Sequence, residues 1–268
     1  MHSISTKAQE QLEILIIEDN EEMRAYIRDC LDETKYRITE ASNGMEGMDK
    51  AIELIPDLII SDVMMPGKNG FEVAAKLRAT ASTSHIPIVL LTAKSALESR
   101  LAGLQSGADV YLTKPFSPKE LSLRIQKLIE IRELIRNSTR ITIKDKPKPA
   151  QNEVKLPFPK ENSFVNEVRT IIENHLNTIG LNGEFIGQKI GLSRMQLHRK
   201  LKAVMNQSVS SLIKEIRLQK AHQLLQTQNY NSSEVAYQTG FNSPAYFSKN
   251  FKDKYGYPPS DLLKRDDA

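Results

Sequence analysis

Four short apolar runs in the first half of the chain each break off at a polar residue. Ile14–Ile17 runs into Glu18-Asp19, Leu58–Ile60 into Ser61-Asp62, Ile88–Leu91 into Thr92, and Val110–Leu112 into Thr113-Lys114-Pro115. Apolar runs of about four residues, separated by helix-length amphipathic stretches, read as buried strands of a parallel sheet with crossover helices. In an open parallel sheet, ligands bind in the crevice at the carboxyl ends of the strands. Glu18, Asp19, Asp62, Thr92 and Lys114 are therefore expected at one spot. Any one of them could be a coincidental strand cap; the five together argue against coincidence.

Three carboxylates at close range are costly unless a cation shares them, and hard oxygen ligands in that number suit Mg²⁺. The rest of the composition is ordinary. At 268 residues the chain is long enough for two domains with cores of their own. No apolar run approaches the length of a membrane span, and Met1 to Gln11 lacks the apolar centre of a signal peptide. The single cysteine, Cys30, falls in a helical stretch and reads as a small buried hydrophobe. His2, His85, His175, His198 and His222 show no metal-ligand spacing. These features point to the cytoplasm.

The net charge of +4 hides an asymmetry. Residues 1–137 carry 17 Lys and Arg against 21 Asp and Glu, a net of −4; the rest carry 20 against 12, a net of +8. An acidic half joined to a basic half suggests that the second half meets a polyanion.

Residues 12–136 repeat strand then helix. Strands are expected near 13–17, 36–41, 58–61, 88–91 and 110–112. Helices are expected near 21–34, 44–55, 70–79 and 97–106, with a last one from Pro118 to about 136. From Asn137 to Lys160 the chain turns Pro- and Lys-rich without a period, which reads as a semi-extended linker. Within it, Ile141-Thr-Ile143 suggests a short strand or docking segment. The expected division is 1–136, a linker 137–160, and 161–268.

Beyond Phe164 every apolar period is helical, with one long helix near 208–227. A faint repeat flanks that helix. Ile186-Gly187-x-x-Ile190-Gly191-Leu192-Ser193 corresponds to Val235-Ala236-x-x-Thr239-Gly240-Phe241-Asn242, and Leu197 and Leu201 correspond to Phe247 and Phe251. A small residue on the first helix, a glycine turn and a polar cap opening the next helix form a helix-turn-helix signature. Two copies favour that reading over a pair of generic helical hairpins.

The first half resembles response-regulator receiver domains over about residues 12–136. The motifs are Glu18-Asp19, Ser61-Asp62-Val-Met-Met-Pro66 with Gly70, Leu91-Thr92-Ala93, and Tyr111-x-x-Lys114-Pro115-Phe116. The resemblance implies a flavodoxin-like, doubly wound five-stranded parallel sheet. It implies that Asp62 takes a phosphoryl group from a histidine kinase. Asp19, Asp62 and the backbone carbonyl of Met64 would bind Mg²⁺, with Glu18 acting through the ion's water. Thr92 and Lys114 would meet phosphoryl oxygens, Lys114-Pro115 would be cis, and Tyr111 would swing inward as a switch or serve as a half-buried aromatic. Met64 and Lys94 would flank the mouth, either tuning acyl-phosphate lifetime or forming its rim. Phosphoryl transfer leaves the protein mainly positioning and charge stabilisation.

Residues 163–264 resemble the AraC/XylS-type DNA-binding domain, through Gly240-Phe-Asn-Ser-Pro-Ala-Tyr-Phe-Ser-Lys-Asn-Phe-Lys and Tyr255-Gly-Tyr-Pro-Pro259. Gly187 stands where the family usually has Ala, so its helix is expected to be weaker. Helical geometry places Leu197, Leu201 and Val204 in the core. Met195, His198, Arg199 and Lys202 share the opposite face, with Arg194 at the helix start. Arg199 is the expected reader of guanine, because its fork fits O6 and N7 together. Met195 offers apolar contact; Lys202 and Arg194 suit phosphates; His198 suits a base, a phosphate or solvent. In the second copy Asn242, Ala245, Tyr246 and Lys249 face outward, with Lys249 the expected reader and Tyr246 divided between core edge and phosphate contact. Lys200, Lys214 and Arg217 read as solvated helix faces.

The expectation is a phosphorylation-dependent transcription regulator of a two-component system, dimerising on phosphorylation and binding double-stranded DNA. It would not be an enzyme beyond its own phosphotransfer and dephosphorylation. The pairing also resembles the C-terminal part of hybrid sensors, so the kinase is expected in trans or in the same chain. An alternative is a receiver acting mainly as a protein-docking phosphate switch. A haloacid-dehalogenase-like phosphatase needs a second Asp two residues past the nucleophile, where this chain has Met64.

Overall fold

The sheet of the first unit follows from the apolar runs. In the computed structural model, which describes residues 11–93, 107–144, 159–178, 180–227 and 229–263, the chain divides into two compact units, Met1–Gln151 and Asn152–Ala268. The first holds β1 (Leu12–Ile17), α1 (Glu21–Asp29), β2 (Tyr36–Ala41), α2 (Gly44–Leu54) and β3 (Leu58–Asp62). Next come α3 (Gly70–Ala79), β4 (Ile88–Ala93), β5 (Val110–Lys114) and α4 (Pro118–Lys144). The strands form one parallel sheet in the order β2-β1-β3-β4-β5. That order is the flavodoxin-like doubly wound one.

Alternation along the strands sends side chains to two cores. Leu15, Ile17, Ile59, Ile88 and Leu90 pack with Val73, Ala74 and Leu77 of α3 and Met48 and Ala51 of α2. Ile14, Ile16, Ile60, Val89 and Leu91 pack on the other face with Ile27 of α1 and Leu121 and Ile125 of α4. Register aligns the strand ends: Ile17 pairs with Ser61, Asp62 with Leu91, and Ala93 with Lys114. The polar residues at those ends therefore gather on one rim.

Two helix lengths differ from the sequence reading. α1 stops at Asp29 instead of near 34, because Asp32 accepts the Thr34 N–H at 3.0 Å and its hydroxyl at 2.6 Å, a local turn that competes with the helix. α4 continues to Lys144, through residues 137–144 of the expected linker and through Ile141-Thr-Ile143, which is neither strand nor loop. No Gly or Pro interrupts the sequence between Pro118 and Pro147, so β-branched residues lower helix propensity there without breaking it. The helix expected at 97–106, and Lys94, lie outside the described residues.

The second unit holds α5 (Pro159–Asn174), α6 (Gly183–Ile190), α7 (Arg194–Met205), α8 (Val209–Gln226), α9 (Ser232–Gln238), α10 (Pro244–Tyr255) and α11 (Ser260–Leu263). The repeat is visible in its hydrogen bonds. Asn182 and Asn231 cap α6 and α9, each accepting two backbone N–H groups. The Leu192 N–H donates to Gly187 O and the Phe241 N–H to Ala236 O, both at 2.9 Å. Gly191 (φ +71°) and Gly240 (φ +80°) make the left-handed turns. Ser193 and Ser243 then cap α7 and α10. Along α8, Leu218, Ala221 and Leu225 join the core of the second copy with Phe247 and Phe251.

A Cβ at Gly187 would lie 2.5 Å from the Leu192 carbonyl, so the first copy's turn lies closer to its helix than a side chain there allows, while the second copy makes the same hydrogen bond from Ala236.

Candidate functional site

Glu18 and Asp19 leave the end of β1, Asp62 ends β3, and Lys114 ends β5. They line a cleft of ≈ 510 Å³ together with Asn20 and Tyr26. Carboxylate oxygens of Glu18, Asp19 and Asp62 all lie within 4.8 Å of one another. Lys114 Nζ reaches two of the three, 2.9 Å from Glu18 Oε2 and 3.0 Å from Asp62 Oδ1. Asp62 Oδ1 also accepts its neighbour's N–H, from Val63, at 2.9 Å. Glu18 Oε1 accepts the Asn20 N–H at 3.3 Å, while the Asn20 side chain caps α1.

Glu18 is 1% exposed and Asp62 6%, whereas Asp19 is open to solvent. Burial pushes the Glu18 carboxyl above its ordinary value and the Asp62 charge adds to this; Lys114 and the Asn20 N–H pull the other way without overcoming it. Burial alone would lower the Lys114 pKa, but its bonds to Glu18 and Asp62 outweigh that and hold the ammonium more firmly charged than usual. The two shifts differ in cause: burial prevails at Glu18, and the two converging carboxylates prevail over burial at Lys114. A cluster of oxygen donors without sulfur or imidazole, with one carboxylate facing solvent, fits a hard divalent ion such as Mg²⁺.

Thr92 is buried at the end of β4, its hydroxyl directed at the Ala93 carbonyl at 3.4 Å. Tyr111 is half-buried against the α2–α3 core. Met64 projects into solvent at 73% exposure. Lys114-Pro115 is cis. The Tyr26 hydroxyl donates to the Phe116 carbonyl at 3.1 Å, tying α1 to the segment after Lys114.

In the second unit Leu197, Leu201 and Val204 are buried, and Arg194, Met195 and His198 are exposed on the other side of α7, with Arg199 and Lys202 at intermediate depth. On α10, Phe247 and Phe251 are buried while Ala245, Tyr246 and Lys249 are exposed, as is Asn242 ahead of it. Two residues expected to be solvated are not. Lys200 is 2% exposed, its ammonium 4.1 Å from the ring centroid of Phe164. Arg217 donates Nε and Nη2 to the Leu176 carbonyl at 3.2 and 2.9 Å, fastening α8 to the segment after α5. Lys214 is exposed as expected. Arg24, which the sequence did not single out, donates to the Glu18 carbonyl at 2.7 Å.

Residues 14–126 match the family described as response regulator receiver domain, and residues 186–265 the family described as helix-turn-helix domain. The chain is 38% identical over 260 residues to histidine kinase P4 of Formosa agariphila, a match covering 96% of this chain and 18% of that protein. It is 40% identical over 119 residues to transcriptional regulatory protein ResD of Bacillus subtilis, covering 44% of this chain and 48% of that protein. The receiver domain of sensor histidine kinase PA1611 from Pseudomonas aeruginosa PAO1, solved with a magnesium ion coordinated in its active site cleft, is 31% identical. That likeness has a TM-score of 0.43 and covers 45% of this chain and 99% of that one. The chain thus spans about half the length of ResD and under a fifth of the kinase. Among the described residues, no helix is long and apolar enough to cross a membrane.

Proposed function

We propose that this chain, which joins a response regulator receiver domain (residues 14–126) to an AraC-type helix-turn-helix domain (186–265), is a phosphorylation-controlled transcription regulator of a two-component system. The observation that carries the proposal is Lys114 held between Glu18 and Asp62 beside solvent-facing Asp19. In this reading an Asp62 carboxylate oxygen attacks phosphorus, the new O–P bond forms, and the phosphorus–nitrogen bond to the kinase histidine breaks. Lys114, already at Asp62, follows the charge onto a phosphoryl oxygen, and the Thr92 hydroxyl turns from Ala93 toward another. Asp19 and Asp62, with the Met64 carbonyl, would hold Mg²⁺, whose charge offsets that of the incoming phosphoryl group; Glu18, with both oxygens engaged, suits a contact through water. Tyr111 would follow Thr92 inward. In this reading the chain's own catalysis is this transfer and the later hydrolysis, in which water attacks phosphorus, the Asp62 O–P bond breaks and inorganic phosphate leaves.

Arg194, Met195, His198, Arg199 and Lys202, and Asn242, Ala245, Tyr246 and Lys249, form the proposed DNA-reading faces. Their support is the pair of capped helices with buried inner and accessible outer residues. Residues 145–158 lie between the two helical ends as the proposed linker, and dimerisation on phosphorylation and work in the cytoplasm belong to the same proposal. The match across 96% of this chain and 18% of a histidine kinase favours a second reading, in which these two units form part of a hybrid sensor with its kinase in the same chain.

The test has two arms. Labelled phosphate from acetyl phosphate should enter the chain only with Mg²⁺ present, and duplex DNA binding should weaken steeply with salt, as neutralising several phosphates requires. A chain that takes no label, or binds DNA without salt dependence, rules the proposal out.

A further inference from the structure

Arg24 has no part in the mechanism above, yet it fixes the peptide that joins the two acids of the cleft. Its side chain is 16% exposed. Nη1 donates to the Glu18 carbonyl at 2.7 Å and Nε to Glu40 Oε2 at 3.2 Å. Glu40 is itself held at the end of β2: its Oε1 accepts from Arg28 at 3.1 Å and its carbonyl from Lys50 at 2.6 Å. On the other side of the same residue, the Glu18 N–H donates to the Ala41 carbonyl at 3.1 Å. Glu18 is therefore clamped through its N–H by β2 and through its carbonyl by α1.

That carbonyl lies where the strand ends and the ladder no longer supplies a donor, and a partly buried carbonyl without a partner is costly. A guanidinium can satisfy it and still reach a carboxylate, because its donors are arranged as a rigid fork. Rotating the Glu18–Asp19 peptide would swing the Asp19 side chain relative to Asp62. Arg24 prevents that rotation from outside the cleft. Its charge goes to a carbonyl and to Glu40, so Arg24 itself does not compete with a cation for Asp19 or Asp62.

We propose that Arg24 is a positioning residue for the cation site, setting the direction of Asp19 through the Glu18 carbonyl. The inference rests on reading the cleft as a Mg²⁺-dependent phosphoacceptor site and deepens it. Partners that orient metal ligands typically contribute roughly 10–100-fold in affinity.

The experiment is a Mg²⁺ titration of the full chain, wild type, R24M, R24K and E40Q, each paired with a melting curve in metal-free buffer. R24M should weaken Mg²⁺ by roughly 10–100-fold. R24K should fall between wild type and R24M, because an ammonium still donates to the carbonyl but cannot also hold Glu40. E40Q should keep most of the affinity, since Arg24 retains its bond to Glu18, even if it melts as low as R24M. R24M binding Mg²⁺ like wild type, or affinities that track melting temperature across all three variants, overturns the proposal. Should R24M not fold, R24K decides: wild-type affinity in R24K overturns it, and a several-fold loss without a matching loss in E40Q supports it. Wild type failing to bind Mg²⁺ would instead remove the phosphoacceptor reading itself.

Discussion

Lys114 Nζ stands 3.0 Å from Oδ1 of Asp62, so the proposed nucleophile rests in an ion pair. The same ammonium offsets Glu18, which is 1% exposed and whose pKa burial pushes upward. In Lys114→Met two carboxylates face each other in a buried cleft with no counter-ion. Breaking a fully buried pair costs about 3–5 kcal/mol; Lys114 is partly exposed, so about 1–3 kcal/mol is expected near neutral pH without metal. A carboxyl with a raised pKa takes up its proton readily in acid, so the loss should shrink as pH falls and grow as Glu18 ionises. Urea midpoints at about pH 5 and about pH 8 measure it. An equal loss at both would show that Lys114 does not act through this charge.

Asp62→Asn should abolish phosphorylation by acetyl phosphate or a phospho-histidine kinase and leave the fold intact. The amide is nearly isosteric with the carboxylate and can still accept the Val63 N–H, but it is not nucleophilic. Label retained at the wild-type level would remove Asp62 from its role.

At the start of α2, Glu46 accepts from Lys50 at 2.6 Å and from the N–H and hydroxyl of Ser42, both at 2.8 Å. Lys50 first, then Ser42, draw its pKa from 4.5 down to about 2. A carboxyl whose pKa falls on folding contributes stability above its unfolded value and loses it as pH falls through the folded one. Wild type should therefore exceed Glu46→Gln in stability above about pH 4.5 and converge with it by about pH 2. The pair is partly exposed, so salt should narrow the difference. Denaturant midpoints across that window read it; a gap that stays constant with pH would assign the effect to packing.

The rim of the sheet is legible in the chain because each strand is a local apolar run and its polar end is the next residue. The two helix-turn-helix copies are legible because glycine turns and Asn or Ser caps are local devices. Lys200, Arg217 and Arg24 are not legible, since each meets a partner far away in sequence: the Phe164 ring, the Leu176 carbonyl, and Glu40. A lysine beside Leu201 has the same local pattern whether an aromatic ring covers it or water does. The end of α4 at Lys144 is hidden for a related reason: weak propensity over 137–144 shortens a helix only where something stops it.

Arg199→Ala and Lys249→Ala should each relax sequence preference, at positions about one helical turn apart. A bidentate guanine contact is worth roughly 1–3 kcal/mol of discrimination. Lys202→Ala should weaken all sequences alike and flatten the salt slope. Selection from random duplexes tests this; an unchanged motif for Arg199→Ala would show that another residue reads the first half-site. Met195 and Tyr246, at 62% and 56% exposure, are the apolar and aromatic surfaces that such a variant would leave in place.

Coupling between the units is the last expectation. Between Lys144, where α4 ends, and Pro159, where α5 begins, the sequence carries Pro147, Pro149 and Pro157 among lysines. The composition of that run favours extended, semi-rigid chain, an expectation that suits coupling through dimerisation better than through a rigid connection from Asp62 to the proposed DNA-reading helices. Dimerisation of the receiver needs no such element. Two basic units brought together on adjacent half-sites gain effective concentration without any new DNA contact. Phosphorylation should therefore raise affinity for tandem half-sites and barely change it for a single one, and light scattering with beryllofluoride should show a dimer. An equal gain on a single half-site, with the mass unchanged, would point instead to release of an acidic receiver from the basic half of its own chain.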